Sequence, residues 1–424
     1  MSDMRFMEKL LDGVEVQWKP LGEMGELVRG NGLPKTDFTE SGIPAIHYGQ
    51  IYTYYGLSTT STKSFVSPET AEKLKKVNKG DVVITNTSEN LEDVGKAVVY
   101  LGERQAVTGG HATIFKPSGT ILGKYFAYFT QTDIFSGEKR KYSKGTKVID
   151  VSASDMAKIS IPIPCPENPE KSLEIQAEIV RILDAFAELT AELTAELTAR
   201  KKQYNYYRDA LLGFADQSDV RWVALGEIGE FIRGRRFTKA DYVEDGIDCI
   251  HYGDIYTQYG TTAKNVKTQV RSDMNGTLRY AKHGDVVITD VGETVEDVGK
   301  PVAWLGGDEV AIHDHCYAFR HSMNPTFVSY CMQTTSFIAE KAKYVARTKV
   351  NTLLMNGFAK IRIPVPPPEE QARIVAILNK FEALTHTLSE GLPREIELRQ
   401  KQYAYYRDLL LSFPKPAPDV AAVE

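Results

Sequence analysis

The chain has 424 residues, of which 42% are hydrophobic and 25% are charged, and its formal net charge is −5. These values are typical of a globular protein of about two to four domains, and the mild negative charge argues against a nonspecific coat for nucleic acid. The sequence shows no apolar run of roughly 18 residues, as a membrane span would need, and no signal-peptide pattern at its start. The four cysteines stand apart from one another, which predicts reduced thiols in a cytoplasmic protein rather than disulfides or a zinc site.

Residues 1–165 are predicted to form an N-terminal segment and a first β-rich domain. Short runs of hydrophobic and β-branched residues are separated there by glycine and polar residues. A short helix is expected around Ala153–Ala157. The segment Ile159–Pro166 has proline at alternate positions, which suits an edge strand or an extended linker. The predicted strands are Val82–Thr85, Ala97–Leu101 and Ala112–Phe115.

Residues 166–214 are predicted to form a central helical spacer. From Ile175 to Leu197 hydrophobic residues recur at steps of three and four, which indicates an amphipathic helix with a coiled-coil-like seam. A continuous helix from Ser172 to Phe214 would span about 65 Å at a rise of about 1.5 Å per residue. The tetrad Thr-Ala-Glu-Leu occurs at Thr190–Leu193 and again at Thr194–Leu197. A strict four-residue spacing exceeds the helical repeat, so the apolar stripe should drift around the helix.

The second half of the chain repeats the first at a spacing of 204 residues. Val16–Gly30 and Val220–Gly234 are closely similar, and the spacing is unchanged at Gly80–Thr85 and Gly284–Thr289. Solenoid repeats have periods of about 20–50 residues, which is far shorter. The duplication therefore predicts two whole domains of one kind, each followed by a long helix.

The second domain is assigned to residues 215–368, a distal helical spacer to 369–413 and a disordered tail to 414–424. Gly391–Pro393 is expected to kink or interrupt the second helix, because proline removes a helix donor and clashes with the preceding turn. Two helices with similar seams should pair. Antiparallel pairing is expected, because each helix must hold its own domain at the opposite end of the pair. The sequence thus predicts an α+β fold, with two β-rich domains in a pseudo-two-fold arrangement joined by two long antiparallel coiled-coil-like helices.

Two matched segments, residues 47–56 and 251–260, are dense in aromatic and hydrogen-bonding side chains, and basic residues precede both. Cations that meet phosphates and polar side chains that meet base edges are typical of a nucleic-acid surface; the alternative is a tyrosine-rich strand with its turn. The candidate DNA-binding residues of the first domain are Arg29, Lys35, His47, Tyr48, Gln50, Tyr52, Tyr54, Lys139, Arg140, Lys144 and Lys147. Those of the second domain are Arg233, Arg235, Arg236, Lys239, His251, Tyr252, Asp254, Tyr256, Gln258, Arg347 and Lys349.

The two copies differ at positions where a change of side chain can alter base preference. Amide, carboxylate and guanidinium groups replace one another there, and each presents a different hydrogen-bonding pattern. Two similar domains should read similar sequences on opposite strands, so the target is expected to be partly palindromic. The exchanged pairs are Gln50 with Asp254, Tyr54 with Gln258, and Asn31–Gly32 with Arg235–Arg236.

A metal-dependent nuclease is an alternative that the sequence supports only weakly. Asp81, Glu89 and Asp93 could hold Mg²⁺ beside a lysine, but the acid-to-lysine spacing departs from the usual nuclease pattern. A turn between strands, with Gly95 and Gly299 at its corner in the two copies, is the preferred interpretation.

Other catalytic patterns are missing from the sequence. The segment His313–His315 offers too few ligands for zinc. A phosphate-binding loop, a G-x-S-x-G elbow and an H-E-x-x-H helix are all lacking. A chain of this length without a catalytic constellation is predicted to be a recognition module rather than an enzyme.

The duplicated domain-plus-helix layout and the Thr-Ala-Glu-Leu tetrads resemble the specificity subunit of type I restriction–modification enzymes. The matching helix ends, Gln203–Asp209 and Gln402–Asp408, carry the same resemblance. Phe6–Val16 and Gly391–Tyr403 are most similar to the IC subfamily. The resemblance covers nearly the whole chain and implies a non-catalytic subunit.

The resemblance also implies partners. Each domain would read one half of a bipartite target in double-stranded DNA, and the helices would fix the spacer between the halves. Two methylation subunits would bring S-adenosylmethionine for adenine methylation, and restriction subunits would bring ATP and Mg²⁺. A stand-alone DNA-binding scaffold remains an alternative. The residues expected either to contact the methylation subunits or to close the paired helices are Leu189, Leu193, Leu197, Tyr204, Tyr207, Arg208, Tyr403, Tyr406 and Arg407.

Overall fold

The computed structural model describes residues 13–214, 219–347, 350–385 and 391–413. The predictions for the first twelve residues, for Lys349 and for the tail 414–424 lie outside these ranges. The chain divides into two compact units. The first unit comprises Met1–Ala191 with Leu398–Glu424, and the second comprises Glu192–Glu397.

Short strands make up most of the first unit, and all three predicted strands are confirmed. They are β1 (Val16–Pro20), β2 (Gly25–Arg29), β3 (Phe38–Thr39), β4 (Ile43–Ile46), β5 (Ser58–Thr59), β6 (Ser64–Val66), β7 (Lys75–Val77), β8 (Val82–Thr85), β9 (Thr87–Ser88), β10 (Ala97–Tyr100), β11 (Ala106–Thr108), β12 (Ala112–Pro117), β13 (Ile149–Asp150) and β14 (Ser160–Pro164). The short helices are α1 (Tyr48–Thr53), α2 (Pro68–Lys73), α3 (Gly123–Phe129), α4 (Asp133–Tyr142) and α5 (Ala153–Met156), the last as predicted.

Two five-stranded sheets form the body of the first unit, in the orders β2-β12-β8-β10-β5 and β3-β6-β4-β11-β7. Strand β8 lies at the centre of its sheet, with Ile84 opposite Ala97 on one side and Thr113 on the other. All four of its residues are buried, which explains its uninterrupted apolar run. The proline-containing strand β14 pairs with β1 in a separate two-stranded sheet, which confirms the predicted edge strand.

The second unit repeats this arrangement. Its strands are β15 (Arg221–Ala224), β16 (Gly229–Arg233), β17 (Tyr242–Val243), β18 (Ile247–Ile250), β19 (Thr262–Ala263), β20 (Thr268–Val270), β21 (Tyr280–Ala281), β22 (Val286–Thr289), β23 (Val291–Gly292), β24 (Pro301–Trp304), β25 (Val310–Ile312), β26 (Cys316–His321), β27 (Val345–Ala346), β28 (Asn351–Leu353) and β29 (Arg362–Val365). Its short helices are α7 (Leu225–Ile228), α8 (Tyr252–Thr257), α9 (Pro325–Cys331), α10 (Thr335–Lys341) and α11 (Met355–Phe358).

The sheet orders of the second unit, β16-β26-β22-β24-β19 and β17-β20-β18-β25-β21, match those of the first strand for strand. The duplication seen in the sequence is therefore a duplication of topology. The copies differ in detail: the 3-10 helix Ser272–Thr277 stands where the first unit has α2, and β23 joins a three-stranded rather than a two-stranded sheet.

Three longer helices complete the fold: α6 (Pro169–Gly213), α12 (Pro368–Thr385) and α13 (Gly391–Leu411). The 45 residues of α6 confirm the predicted continuous helix and span about 68 Å. Pro393 lies in the first turn of α13, where proline is tolerated because the first N–H groups of a helix have no partner within it. Helix α12 ends at Thr385 and α13 begins at Gly391, so Gly391–Pro393 forms the start of a helix, and residues 386–390 lie outside the described residues.

In the first unit the start of α6 and the end of α13 pack into one hydrophobic core. Ile179 and Leu183 of α6 share this core with Leu410 of α13. Further along, Phe186 stacks on Tyr406 with ring centroids 5.2 Å apart. Residue numbers rise along one helix as they fall along the other, so the two helices run antiparallel in this unit, as predicted.

The second unit uses the complementary pieces of helix. Ile374 and Leu378 of α12 share a core with Leu212 of α6, and Tyr207 stacks on Phe381 at 5.5 Å. Each unit thus consists of a β-rich body, the first part of the helix that follows it and the last part of the other long helix. The predicted α+β class, with two β-rich domains and long helices, is confirmed.

Candidate nucleic-acid interface

The aromatic segments fold as the short helices α1 and α8, not as the tyrosine-rich strands that were the alternative. A histidine caps each helix: Nδ1 of His47 accepts a hydrogen bond from the N–H of Gly49 at 3.2 Å, and His251 does the same for Gly253 at 3.1 Å. Burial, assisted by the charge of Lys35, lowers the pKa of His47. Both predicted DNA-binding histidines therefore hold the backbone of their own helix.

Four other predicted contacts point into the fold. Gln50 donates to Ser64 Oγ and the Tyr52 hydroxyl donates to the carbonyl of Thr87 at 2.6 Å. These half-buried side chains anchor the helix to the sheets, and their contact with bases stays a prediction. The second unit behaves alike, because Asp254 accepts from the N–H of His251 and the Tyr256 hydroxyl donates to Val291 O.

Tyr54 and Gln258, at the ends of these helices, remain accessible. The Tyr54 side chain is 58% exposed, and the ammonium of Lys63 lies 4.9 Å from its ring centroid. Gln258 occupies the matched position and is also exposed. A ligand can therefore reach the position at which the first unit has the aromatic Tyr54 and the second has the amide Gln258.

Arg29 and Arg233 occupy the same place in the two units. Nε of Arg29 donates to the carbonyl of Gly110 at 3.1 Å, and Nε of Arg233 donates to that of Asp314 at 3.0 Å. The guanidinium of Arg29 pairs with Asp150 at 3.3 Å, while that of Arg233 lies 3.7 Å from Asp290. About half of each arginine side chain is exposed, so each arginine holds a loop and still presents charge to solvent.

Lys139 is buried and its predicted contact with DNA is wrong. Its ammonium donates to the carbonyls of Glu92 and Val94 at 2.8 and 2.6 Å, and burial lowers its pKa to about 8. Lys341 at the matched position donates to the carbonyl of Glu296 at 2.7 Å. Both lysines fasten a turn between strands, because burial is tolerated only when the ammonium is fully hydrogen-bonded.

The other predicted basic residues lie on the surface. Lys144 pairs with Asp155 at 2.9 Å yet remains 76% exposed. The remaining exposed cations are Lys35, Arg140, Lys147, Arg235, Arg236, Lys239 and Arg347.

Sequence reasoning missed two histidines. His111 lies beside Tyr48 with ring centroids 4.8 Å apart, and its Nδ1 is 3.0 Å from Thr87 Oγ1. His315 lies beside Tyr252 at 5.5 Å. The signal was present, since the two histidines are 204 residues apart in the duplication, but His315 was considered only as a metal ligand.

The second unit adds a buried histidine that the first unit lacks. His313 is 6% exposed, its ring centroid lies 4.5 Å from that of His251, and its Nε2 is 3.0 Å from the carbonyl of Phe237. Burial, together with the charge of His251, lowers its pKa. Gly109 stands at the matched position of the first unit.

We expect acidification to destabilise the second unit more than the first. Burial lowers the pKa of His321 from 6.5 to about 4, and its Nε2 is buried without a hydrogen-bond partner. Protonation therefore favours the unfolded chain, and stability is lost as the pH falls from about 6.5 toward 4. At pH 5 the loss should be about 1–2 kcal/mol. The matched residue of the first unit is Pro117, which does not titrate.

Amide hydrogen exchange of the full chain at pH 7.5 and pH 5, corrected for intrinsic exchange rates, would measure this difference. His321→Gln should remove part of the acid sensitivity of the second unit and leave the first unit unchanged. Equal loss of protection in both units would contradict the prediction.

The acidic segments form turns. The carboxylate of Asp81 accepts from the N–H of Asn78 at 2.8 Å, and that of Asp93 accepts from the amide of Asn90 at 2.8 Å. Gly95 has φ +81°, which confirms the predicted corner. Among the described residues, no group of three or more His, Cys, Asp or Glu side chains is placed to hold a metal ion. None of the helices formed by these residues is both long and apolar enough to span a membrane.

The matched helix ends serve packing within each unit. Arg208 is 7% exposed and pairs with Asp209 at 2.9 Å, and the Tyr403 hydroxyl donates to Gln131 at 2.7 Å. Tyr204 is buried, whereas Tyr206 is 69% exposed. Of the remaining residues predicted for the helices, Tyr207 and Tyr406 make the stacked contacts described above, Arg407 pairs with Asp408 at 2.8 Å, and Leu189, Leu193 and Leu197 are half-buried.

The duplicated β-rich units, each presenting an arginine, a tyrosine and a histidine at matched positions, define a two-site recognition protein. Residues 13–200 and 217–398 each match the family model described as the type I restriction modification DNA specificity domain. The chain therefore belongs to this family.

Curated relatives agree with the family model over nearly the whole chain. The specificity subunit of the type I restriction enzyme EcoR124I/EcoR124II of Escherichia coli is 37% identical, covering 98% of this chain and 99% of the relative. A putative type I restriction enzyme specificity subunit of Haemophilus influenzae is 31% identical, covering 96% and 98%. These relatives are specificity subunits, so the prediction of a non-catalytic subunit is confirmed.

Solved structures share the fold. A chain from a structure on complex assembly and conformational transition of the type I R-M system has a TM-score of 0.60 and 16% identity, covering 93% of this chain and 97% of that one. The type I restriction-modification S subunit from M. genitalium has a TM-score of 0.52 and 14% identity, covering 95% and 98%.

Proposed function

We propose that this chain is the DNA-recognition subunit of a type I restriction–modification complex. Each unit reads one half of a bipartite target in double-stranded DNA, and the long helices fix the spacer between the halves. The observation that carries this function is the matched set of partly exposed side chains on the two units, formed by Arg29 with Tyr48 and by Arg233 with Tyr252. Arginine suits phosphate and base contacts alike, and an amphipathic tyrosine ring on the same unit suits the edge of a groove.

Partners supply the chemistry in this proposal. Two methylation subunits bring S-adenosylmethionine and methylate adenine, and restriction subunits bring ATP and Mg²⁺. The names of the relatives and the complex-assembly structure support such partners. The similarity of Phe6–Val16 and Gly391–Tyr403 supports membership of the IC subfamily, and the isolated cysteines support a cytoplasmic location.

The domain limits are part of the proposal. The recognition domains occupy residues 1–165 and 215–368, and the spacers occupy 166–214 and 369–413. The strands and helices of the structure support these limits, because β14 and β29 each end shortly before a long helix begins.

Mapping of methylated adenine by long-read sequencing tests the function. The chain is expressed with its methylation subunit in cells that lack other adenine methyltransferases, and cells without the chain serve as the control. We expect methylation at two short sequence blocks separated by unread bases. Methylation at one undivided block, or methylation independent of the chain, would contradict the proposal. Cleavage of DNA by the pure chain with Mg²⁺, abolished by Asp93→Ala, would instead favour the nuclease alternative.

Deleting the tetrad Thr194–Leu197 should change the spacer alone. The deletion removes about 6 Å of α6, which corresponds to one or two base-pair steps of about 3.4 Å. We expect the unread spacer to shorten while both half-site sequences stay the same, because no residue of either β-rich body is changed. Thr194→Ala, which keeps the helix length, is the control and should leave the spacer unaltered. Methylation mapping would contradict the prediction by showing altered letters in either half-site.

A further inference from the structure

The histidines His111 and His315 are held at the same place by their own backbone. The N–H of Asn86 donates to the carbonyl of His111 at 2.9 Å, and the N–H of Asp290 donates to that of His315 at 3.0 Å. Each donor directly follows the central strand of its sheet, β8 or β22. The two rings therefore stand on equivalent scaffolds, and differences between them arise from their side-chain partners.

Those partners differ in hydrogen-bonding character. Nδ1 of His111 lies 3.0 Å from the hydroxyl of Thr87, which can donate or accept. Nδ1 of His315 lies 3.0 Å from a carboxylate oxygen of Asp290, and an ionised carboxylate can only accept. The proton of a neutral His315 therefore sits on Nδ1, and Nε2 is left as an acceptor. His111 has no such restriction.

The buried carboxylate of Asp290 contacts two partly exposed side chains of the second unit. It is 5% exposed, one of its oxygens meets His315, and the other lies 3.7 Å from the guanidinium of Arg233. Asn86 at the matched position uses its amide elsewhere: it donates to Val151 O and accepts from Thr113 Oγ1. The carboxylate that fixes the second ring thus has a buried amide as its counterpart in the first unit.

The ring of His315 is placed where DNA could meet it. The His315 side chain is 40% exposed, and because Asp290 engages Nδ1, Nε2 is the ring nitrogen left for a ligand. Tyr252 packs against the ring, and Arg233 clamps the loop through the carbonyl of Asp314. A hydrogen-bond acceptor on a loop that an arginine and a tyrosine also contact suits a surface that reads base edges in the major groove.

We propose that His315 is a base-reading residue of the second unit and that Asp290 positions it, so that Nε2 accepts a hydrogen bond from the exocyclic amino group of adenine or cytosine. The inference rests on the proposed function and names a specificity determinant within it. The partner of His111 is a hydroxyl, so Nε2 of His111 can either donate or accept a hydrogen bond. It can therefore pair with a donor group or an acceptor group of the equivalent base pair. The two half-sites should therefore differ in stringency at this position.

Asp290→Asn is the decisive variant. An amide can accept from or donate to Nδ1, which frees the ring to carry its proton on Nε2 and to donate to guanine O6 or thymine O4. We expect discrimination at one base pair of the second half-site to fall about tenfold, with acceptor bases newly tolerated. The first half-site and the spacer should not change. The base that the wild type requires at this position shows whether His315 contacts adenine or cytosine.

Methylation mapping with the methylation subunit compares the wild type with Asp290→Asn, His315→Ala and the control His283→Gln. His283 is exposed on the same unit, and its replacement should leave every letter unchanged. His315→Ala removes an exposed ring and keeps the test decisive if Asp290→Asn does not fold. Unchanged letters in folded His315→Ala would overturn the proposal, as would a uniform loss of methylation without any change of sequence. A wild type that methylates no bipartite target would refute the proposed function instead.

Discussion

Replacing Arg235 with asparagine and Arg236 with glycine is expected to weaken binding of the assembled complex to its target by about 10–100-fold near 0.1 M salt. Both arginines are exposed, and only Gly234 separates them from Arg233, the last residue of β16. Each arginine that no longer neutralises a phosphate should lower the slope of log affinity against log salt by about 0.9, so the slope of the double variant should fall by nearly two. The expected loss of affinity is large because the double variant removes two adjacent positive charges.

The first unit supplies the design of this variant. Asn31 and Gly32 stand at the matched positions, and a side chain at Gly32 would meet open space. The exchange therefore copies a sequence that the same backbone already accommodates. Arg373→Gln, on helix α12, is the control because this arginine pairs with Glu370 on its own helix. Fluorescence anisotropy titrations at four salt concentrations provide the affinity for the target and its salt slope. An unchanged salt slope would mean that Arg235 and Arg236 do not contact phosphate.

The duplication and the long helices could be predicted because each leaves a pattern that extends over many residues. The spacing of 204 residues persists through whole strands, and hydrophobic residues recur at steps of three and four from Ile175 to Leu197 of α6. The helix α1 could not be predicted in this way, because its six residues are too few to show a period. Its fold depends on the His47 cap and on Gln50 reaching Ser64, which are contacts rather than patterns.

The exposure of cations such as Arg235 could be predicted because clustered charge is visible in the sequence. Their contact with DNA stays a prediction. Lys139 was misassigned because its partners, the carbonyls of Glu92 and Val94, lie more than forty residues away in the chain. The pairing of His315 with Asp290 spans 25 residues and joins a strand end to a loop, so only the folded chain shows it.

Two buried glutamines join the β-rich bodies to the long helices. Gln176 of α6 is fully buried; its amide donates to the carbonyl of Thr120 at 3.1 Å and accepts from the N–H of Leu122 at 2.9 Å. Gln371 of α12, which is 4% exposed, accepts from the N–H of Asn324 at 2.9 Å. The same residue type thus makes the same kind of joint in both units.

Gln176→Leu is expected to lower the free energy of unfolding of the first unit by about 2–4 kcal/mol. Leucine fills similar space but leaves the N–H of Leu122 and the carbonyl of Thr120 buried without their partner, at about 1–3 kcal/mol for each unpaired group. Gln371→Leu should weaken the second unit in the same way. Gln400→Leu, at an exposed position of α13, is the control and should change stability by less than about 0.5 kcal/mol.

Urea titration followed by hydrogen exchange in peptides of each unit would separate the two effects. Gln176→Leu should lower protection in the strands of the first unit before those of the second, and Gln371→Leu should reverse that order. Helix α6 carries residues of both units, so a variant that loosened both equally would show that the helix, rather than the glutamine joint, governs stability. A selective effect would instead show that each body is fixed to its helix locally, which a spacer of defined length requires.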